Sequence, residues 1–115
     1  MKIKKYLPVI LIVVGLIIVF SLLAANKGPK MILFYGDTCP HCKVVEEFIV
    51  ANKIEEKIAF KKLEVYNNQN NAQLLTQTAK KCGFDTAQGV GVPFFYNGET
   101  CLMGDADIIN YFKQQ

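Results

Sequence analysis

Hydrophobic positions divide the chain into two parts. Tyr6 to Ala25 carries no charge, and the apolar run proper covers the 19 residues from Leu7 to Ala25. As a helix this run spans roughly 28 Å, close to the thickness of the hydrocarbon core of a bilayer. The pattern therefore predicts residues 1–27 to be a transmembrane anchor with a short linker, and residues 28–115 to be a separate domain.

The charges around the run predict its orientation. Segment 2–5 carries three lysines ahead of the run, whereas only Lys27 and Lys30 lie close behind it. The positive-inside rule then places the N-terminus in the cytoplasm and the rest of the chain outside. A cleaved signal peptide is the alternative, but Leu22 and Leu23 are large for the positions before a cleavage site. Both interpretations place the domain across the membrane.

The second part alternates between the two periodicities of secondary structure. Continuous apolar runs and alternation predict strands over 30–35, 58–66, 93–96 and 100–103. Helical spacing predicts helices over 40–53 and 72–82, and a last one that Asp105 caps. Asn97-Gly98 predicts a hairpin between the last two strands. The order β-α-β-α-β-β-α predicts an α/β fold, with one mixed four-stranded sheet covered by helices on both faces.

Charge excludes one class of function. The chain has 13 lysines, no arginine and 10 acidic residues. Four of the lysines flank the apolar run, which leaves 9 against 10, a net charge of −1, for the rest. Nucleic-acid binding needs a basic face and favours arginine. The part of the chain after the apolar run has neither feature, which excludes nucleic-acid binding. The positive net charge of the whole chain comes from the lysines that orient the membrane helix.

The chemistry lies in Cys39-Pro40-His41-Cys42, where the first strand passes into the first helix. Proline is favoured at the first helical position, which makes Cys39 the expected N-cap. Free backbone N–H groups and the helix dipole there stabilise a thiolate. Cys42 lies almost one turn later, so the two sulfurs can form a disulfide. We expect Cys39 to be the exposed nucleophile and Cys42 to resolve the mixed disulfide.

His41 is the only histidine in the chain and lies between the two cysteines. As a cation it would stabilise the thiolate, and with it the reduced form. An exposed histidine without a role is the alternative. Half of a zinc site is another alternative for the cysteine pair, although Cys82 and Cys101, 19 residues apart, lack the spacing of a second pair.

A strand, a C-P-x-C motif that opens a helix, and Val92-Pro93 before an antiparallel strand together resemble the thioredoxin superfamily. The resemblance covers about residues 30–113 and is closest to glutaredoxins in size and element order. The Pro-His dipeptide is similar to that of DsbA-type oxidants. The resemblance implies a cis Val92–Pro93 bond against the cysteine pair, with the Val92 backbone holding an extended substrate peptide.

The sequence departs from these relatives at several positions. Thioredoxins carry a buried acid six residues before the first cysteine, where this chain has Leu33. The usual proton acceptor for the resolving thiol is therefore missing, and Glu64 is a weak candidate to replace it. Gly91 stands where glutathione-binding glutaredoxins usually have threonine, and segment 103–107 keeps their later glycine–aspartate pattern only in part. These departures weaken an assignment to glutathione.

Cys82 and Cys101 leave three interpretations open. They can form a second disulfide in an oxidising compartment, and closing this loop would stabilise the fold by about 3 kcal/mol. They can also be two separately buried thiols, or a relay pair that exchanges with Cys39 and Cys42.

The sequence as a whole predicts a membrane-anchored enzyme, a thiol–disulfide oxidoreductase outside the cytoplasm. It would act on protein thiols and disulfides without a metal or organic cofactor, with a membrane redox protein as a possible partner. The alternatives are an extracytoplasmic disulfide reductase, a metal-binding module using the same two thiols, and a redox-inactive binding module.

Overall fold

The computed structural model describes residues 2–25 and 30–115. Helix α1 covers Ile3–Ala25, and within the described part of the chain it is the one helix long and apolar enough to cross a membrane. Its side chains from Leu7 to Leu23 are exposed. The predicted linker, and with it the boundary between the anchor and the domain, falls at 26–29, outside the described residues.

A mixed four-stranded sheet forms the centre of the second part. Its strands are β1 (Met31–Tyr35), β2 (Phe60–Glu64), β3 (Phe94–Tyr96) and β4 (Cys101–Met103), in the spatial order β2-β1-β3-β4. β1 is parallel to β2 and antiparallel to β3, and β3 is antiparallel to β4. The helices are α2 (Pro40–Ala51), α3 (Ile54–Lys57), α4 (Gln69–Lys81) and α5 (Asp105–Lys113). The predicted fold class is confirmed.

The alternation of side chains along the central strands divides the core into two clusters. Leu33 and Phe95 point to one face, where they pack with buried residues of α2, α3 and α5. Phe34 and Phe94 point to the other face and pack with buried residues of α4. Because β1 and β3 are covered on both faces, they lack the polar alternation of a half-exposed strand.

Helix α4 begins at Gln69 rather than at the predicted residue 72, and two other local details differ from the sequence prediction. The helix predicted to run to Lys53 ends at Ala51, because Lys53 adopts the left-handed conformation (φ 52°) and the chain then enters the short helix α3. The cap predicted at Asp105 is also wrong. Gly104 is the N-cap of α5, at a φ of 96° that favours glycine, and Asp105 is the first helical residue.

The ends of α4 follow from its sequence. Asn68 accepts a hydrogen bond from the backbone N–H of Asn71 at 3.0 Å and so caps the helix. Gly83 follows the last turn at a φ of 86°, the left-handed geometry common after a helix. This ending places Cys82, the last residue before the glycine, beside strand β4.

Candidate active site

The first turn of α2 presents the two cysteines. Cys39 is the N-cap residue, in an extended conformation, and Pro40 occupies the first helical position. The backbone N–H of Cys42 donates to Cys39 Sγ at 3.2 Å. Cys39 therefore stands at the positive end of a 12-residue helix, where a negative charge on sulfur is stabilised.

Cys39 and Cys42 form a disulfide, with their Cα atoms 5.2 Å apart. The backbone N–H of Gly36 donates to Cys42 Sγ at 3.5 Å, so each sulfur has one backbone donor. The two residues are almost equally buried, at 8% and 6% exposure. The expectation of an exposed Cys39 is thus wrong, because the segment containing Val92 lies over it.

That covering segment contains Val92 and Pro93, joined by a cis peptide bond. The carbonyl oxygen of Val92 lies 3.6 Å from Cys39 Sγ. The carbonyl of Pro93 accepts a hydrogen bond from the backbone N–H of Gly104 at 2.9 Å, which fixes the segment to the start of α5. Gly91 is exposed directly before it. Backbone at this point is therefore both next to the disulfide and reachable from solvent.

His41 is bound to a residue that the sequence did not connect with it. Its Nδ1 lies 3.0 Å from Asp105 Oδ2, on the first turn of α5, and its side chain is 72% exposed. The hydrogen bond from His41 lowers the pKa of Asp105, against a smaller opposing effect of partial desolvation. The pair ties the first turn of α2 to that of α5.

A cleft of about 570 Å³ opens beside the disulfide. Both cysteines and Pro93 line it together with Leu33. Charged side chains also line it: Asp37, Lys43, Glu46 and Lys62. The position that carries an acid in thioredoxins is thus apolar here, while charges enter the same space from α2 and β2.

Lys62 connects two of the helices to the sheet. Its ammonium nitrogen lies 2.8 Å from a carboxylate oxygen of Glu55 and 3.1 Å from one of Glu46. The hydrogen bond from Lys62 to Glu55 raises the pKa of Lys62, partial burial opposes this effect, and Glu46 adds to it. The Glu46 carboxylate is therefore held at the cleft by a cation that it shares with Glu55.

Glu64, the weak candidate for proton acceptor, has a different environment. Its carboxylate accepts hydrogen bonds from the backbone N–H groups of Asn67, Tyr66 and Asp37, at 2.6, 3.0 and 2.8 Å. Partial desolvation raises the pKa of Glu64, but these bonds outweigh it and leave the pKa lowered. Glu64 thus joins the loop before Cys39 to the loop after β2.

Cys82 and Cys101 form a second disulfide, with Cα atoms 6.0 Å apart. It joins the end of α4 to β4, and both residues are half-buried. The bond lies on the face of the sheet that packs against α4, since Cys101 contacts the Phe34 and Phe94 cluster. The first disulfide opens on the cleft beside α2 instead.

The structure brings together the residues singled out from local motifs, Cys39 to Cys42 and Val92-Pro93. Sequence reasoning missed the partner of His41, the carboxylate of Glu46 and the loop contacts of Glu64. Helical spacing held a signal only for Glu46, which follows Cys42 by four residues and therefore shares its face of α2.

Comparisons with known proteins support the fold. No protein-family model matches the chain, and no curated protein does. A crystal structure of a glutaredoxin from wheat is similar, with a TM-score of 0.51 and 18% sequence identity, over 84% of this chain and 80% of the wheat protein. The second part of the chain thus has a glutaredoxin-like fold of the thioredoxin type, with a Cys-x-x-Cys disulfide at the start of its first helix.

Proposed function

We propose that this protein is a thiol–disulfide oxidoreductase that a single helix anchors to a membrane and that acts on protein substrates outside the cytoplasm. The observation that carries the proposal is the Cys39–Cys42 disulfide at the N-terminus of α2, beside the backbone of Val92. A disulfide across three residues closes almost no loop, so it contributes little to stability. Its position favours exchange instead.

The exchange follows from the two sulfurs and their donors. A substrate thiolate attacks Cys39 Sγ, a substrate–Cys39 disulfide forms, and the electron pair of the broken bond leaves on Cys42 Sγ, where the Gly36 N–H stabilises it. A second thiolate of the substrate then attacks the substrate sulfur of this mixed disulfide, and Cys39 leaves as a thiolate. The substrate is oxidised to a disulfide, and Cys39 and Cys42 are reduced to thiols. The same steps in reverse reduce a substrate disulfide.

The backbone around Val92 is proposed to hold the substrate. An extended peptide that pairs with Val92 places its own sulfur near Cys39, because the Val92 carbonyl lies 3.6 Å from that sulfur. The exposed Gly91 leaves room for the peptide to approach. Gly91 and segment 103–107, which depart from the pattern of glutathione-binding glutaredoxins, favour protein substrates over glutathione.

Two features support the location outside the cytoplasm. The lysines ahead of α1 favour a cytoplasmic N-terminus. The Cys82–Cys101 disulfide is typical of oxidising compartments. An anchored domain there fits a redox partner within the membrane that restores the cysteine pair after each reaction.

A redox titration tests the proposal. The full chain in detergent is equilibrated with glutathione buffers, and mass spectrometry maps the state of all four cysteines. A potential near −120 mV identifies an oxidant, and one near −270 mV identifies a reductase. Cys39→Ser should abolish exchange. No exchange in the wild type, or stoichiometric metal retained through Cys39, would refute the proposal.

A further inference from the structure

The proposed exchange requires Cys42 to lose a proton when it attacks and to gain one when it leaves, and Leu33 offers no acid for this purpose. We propose that Glu46 is the group that exchanges this proton with Cys42, through water in the cleft. The proposal rests on the proposed function, because it concerns the second step of the same exchange.

Geometry favours Glu46 over the other charged groups of the cleft. Glu46 follows Cys42 by four residues on α2, which places their Cβ atoms about 5–6 Å apart on one face of the helix. Both residues line the cleft, whose volume of about 570 Å³ accommodates water. One bridging water is enough for general acid–base catalysis. The lysines at 43 and 62 offer ammonium groups, which donate hydrogen bonds and have no acceptor for the proton.

Lys62 positions the carboxylate. Its ammonium lies 3.1 Å from Glu46 and 2.8 Å from Glu55, so two carboxylates share one cation. Glu46 is therefore held toward the cleft without being fully neutralised. Asp37, the other carboxylate of the cleft, precedes Cys39 in the loop and does not share the helix face of Cys42.

Resolution of a mixed disulfide begins with the Cys42 thiol. The Cys42 thiol gives its proton to the Glu46 carboxylate through water, and the Gly36 N–H stabilises the thiolate that results. The thiolate attacks Cys39 Sγ, the Cys39–Cys42 bond forms, and the substrate sulfur leaves with the electron pair. That sulfur then takes a proton from Glu46 or from solvent. In the opposite direction, protonated Glu46 protonates the departing Cys42.

Acid-quenched kinetics separate this step from the first one. The reduced full chain in detergent is mixed with oxidised glutathione, and mass spectrometry follows the Cys39–glutathione disulfide as it forms and as Cys42 resolves it. We expect Glu46→Gln to slow resolution at least tenfold at pH 7, with formation unchanged within twofold. The deficit should shrink as the pH rises, because hydroxide then takes the proton of the Cys42 thiol in place of Glu46.

Four variants serve as comparisons. Glu46→Asp should recover part of the rate, and Glu47→Gln, one residue further along α2, should match the wild type. Glu55→Gln breaks the other ion pair of Lys62. Its rate of resolution should be at least five times that of Glu46→Gln. The inference is overturned if Glu46→Gln resolves at the wild-type rate, if Glu55→Gln is equally slow, or if Asp37→Asn alone is slow. Absence of any mixed disulfide in the wild type would instead overturn the proposed function.

Discussion

Removal of the Cys82–Cys101 disulfide should destabilise the domain without impairing exchange. The bond closes a loop between residues 19 apart in sequence, from the end of α4 to β4. The chain-entropy relation for a loop of this length gives a loss of about 3 kcal/mol at 25 °C. This is a large part of the 5–15 kcal/mol that stabilises a typical domain. The expected shift in melting temperature for a domain of this size is about 12–24 °C.

Pulse proteolysis in urea measures this loss on the full chain in detergent. The free energy of unfolding of the double variant Cys82→Ala/Cys101→Ala should be about 3 kcal/mol lower than that of the wild type. The single variant Cys101→Ala should lose nearly the same amount, since either change breaks the bond. A loss below about 1 kcal/mol would refute the chain-entropy argument.

The same variants separate a structural disulfide from a relay. The cleft that Cys39 and Cys42 line lies beside α2, whereas the second disulfide packs with α4 on the other face of the sheet. Exchange at Cys39 should therefore stay within twofold of the wild-type rate. A collapse of exchange in a variant that remains folded would support the relay interpretation instead.

Three further predictions concern side chains that the structure connects to the site. Glu64→Gln should speed hydrogen exchange at the Asp37 amide, because that amide loses its carboxylate acceptor. The pKa of Glu64 is lowered in the folded protein, so its contribution to stability is present above the ordinary carboxyl pKa and should be lost as the pH falls through the pKa of Glu64 in the folded state. Asp105→Asn should lower the urea midpoint at neutral pH but not at a pH where the Asp105 carboxyl is protonated, because the pKa of Asp105 is lowered in the folded protein. NMR of the His41 imidazole should report the loss of its contact with Asp105. Phe95→Ala, at a fully buried position, should cost about 3–5 kcal/mol by urea denaturation, and a loss below about 1 kcal/mol would contradict its place in the core.

Most of the secondary structure could be predicted from local patterns. A continuous apolar stretch indicated β1, because a strand covered on both faces needs apolar side chains in both directions. The Asn97-Gly98 pair indicated the hairpin that joins β3 and β4. The errors occurred at helix ends. There the left-handed Lys53 and the N-cap Gly104 depend on backbone angles that residue type alone does not specify.

Local reasoning predicted the candidate site only where one motif contained it, and the place of Val92-Pro93 against the cysteines came from the resemblance to the thioredoxin superfamily. Proline after Cys39 specifies a helix N-terminus, and a spacing of three residues brings Cys42 within reach, whatever the rest of the chain does. The contacts of His41 with Asp105, and of Lys62 with Glu46 and Glu55, join residues from different elements. No spacing rule predicts such pairs, since they depend on how α2, α3 and α5 pack on the sheet.

The sequence by itself determined the apolar N-terminal helix, the order of the strands and helices after it, and the cysteine motif. These depend on the length of an apolar run, on periodicity and on the geometry of a single helical turn, all of which are local. Tertiary structure decided what surrounds the sulfurs: the Val92 carbonyl 3.6 Å from Cys39, and Glu46 held at the cleft by Lys62. It also decided that Cys82 meets Cys101, because only the packing of α4 against β4 brings two cysteines 19 residues apart to a Cα separation of 6.0 Å.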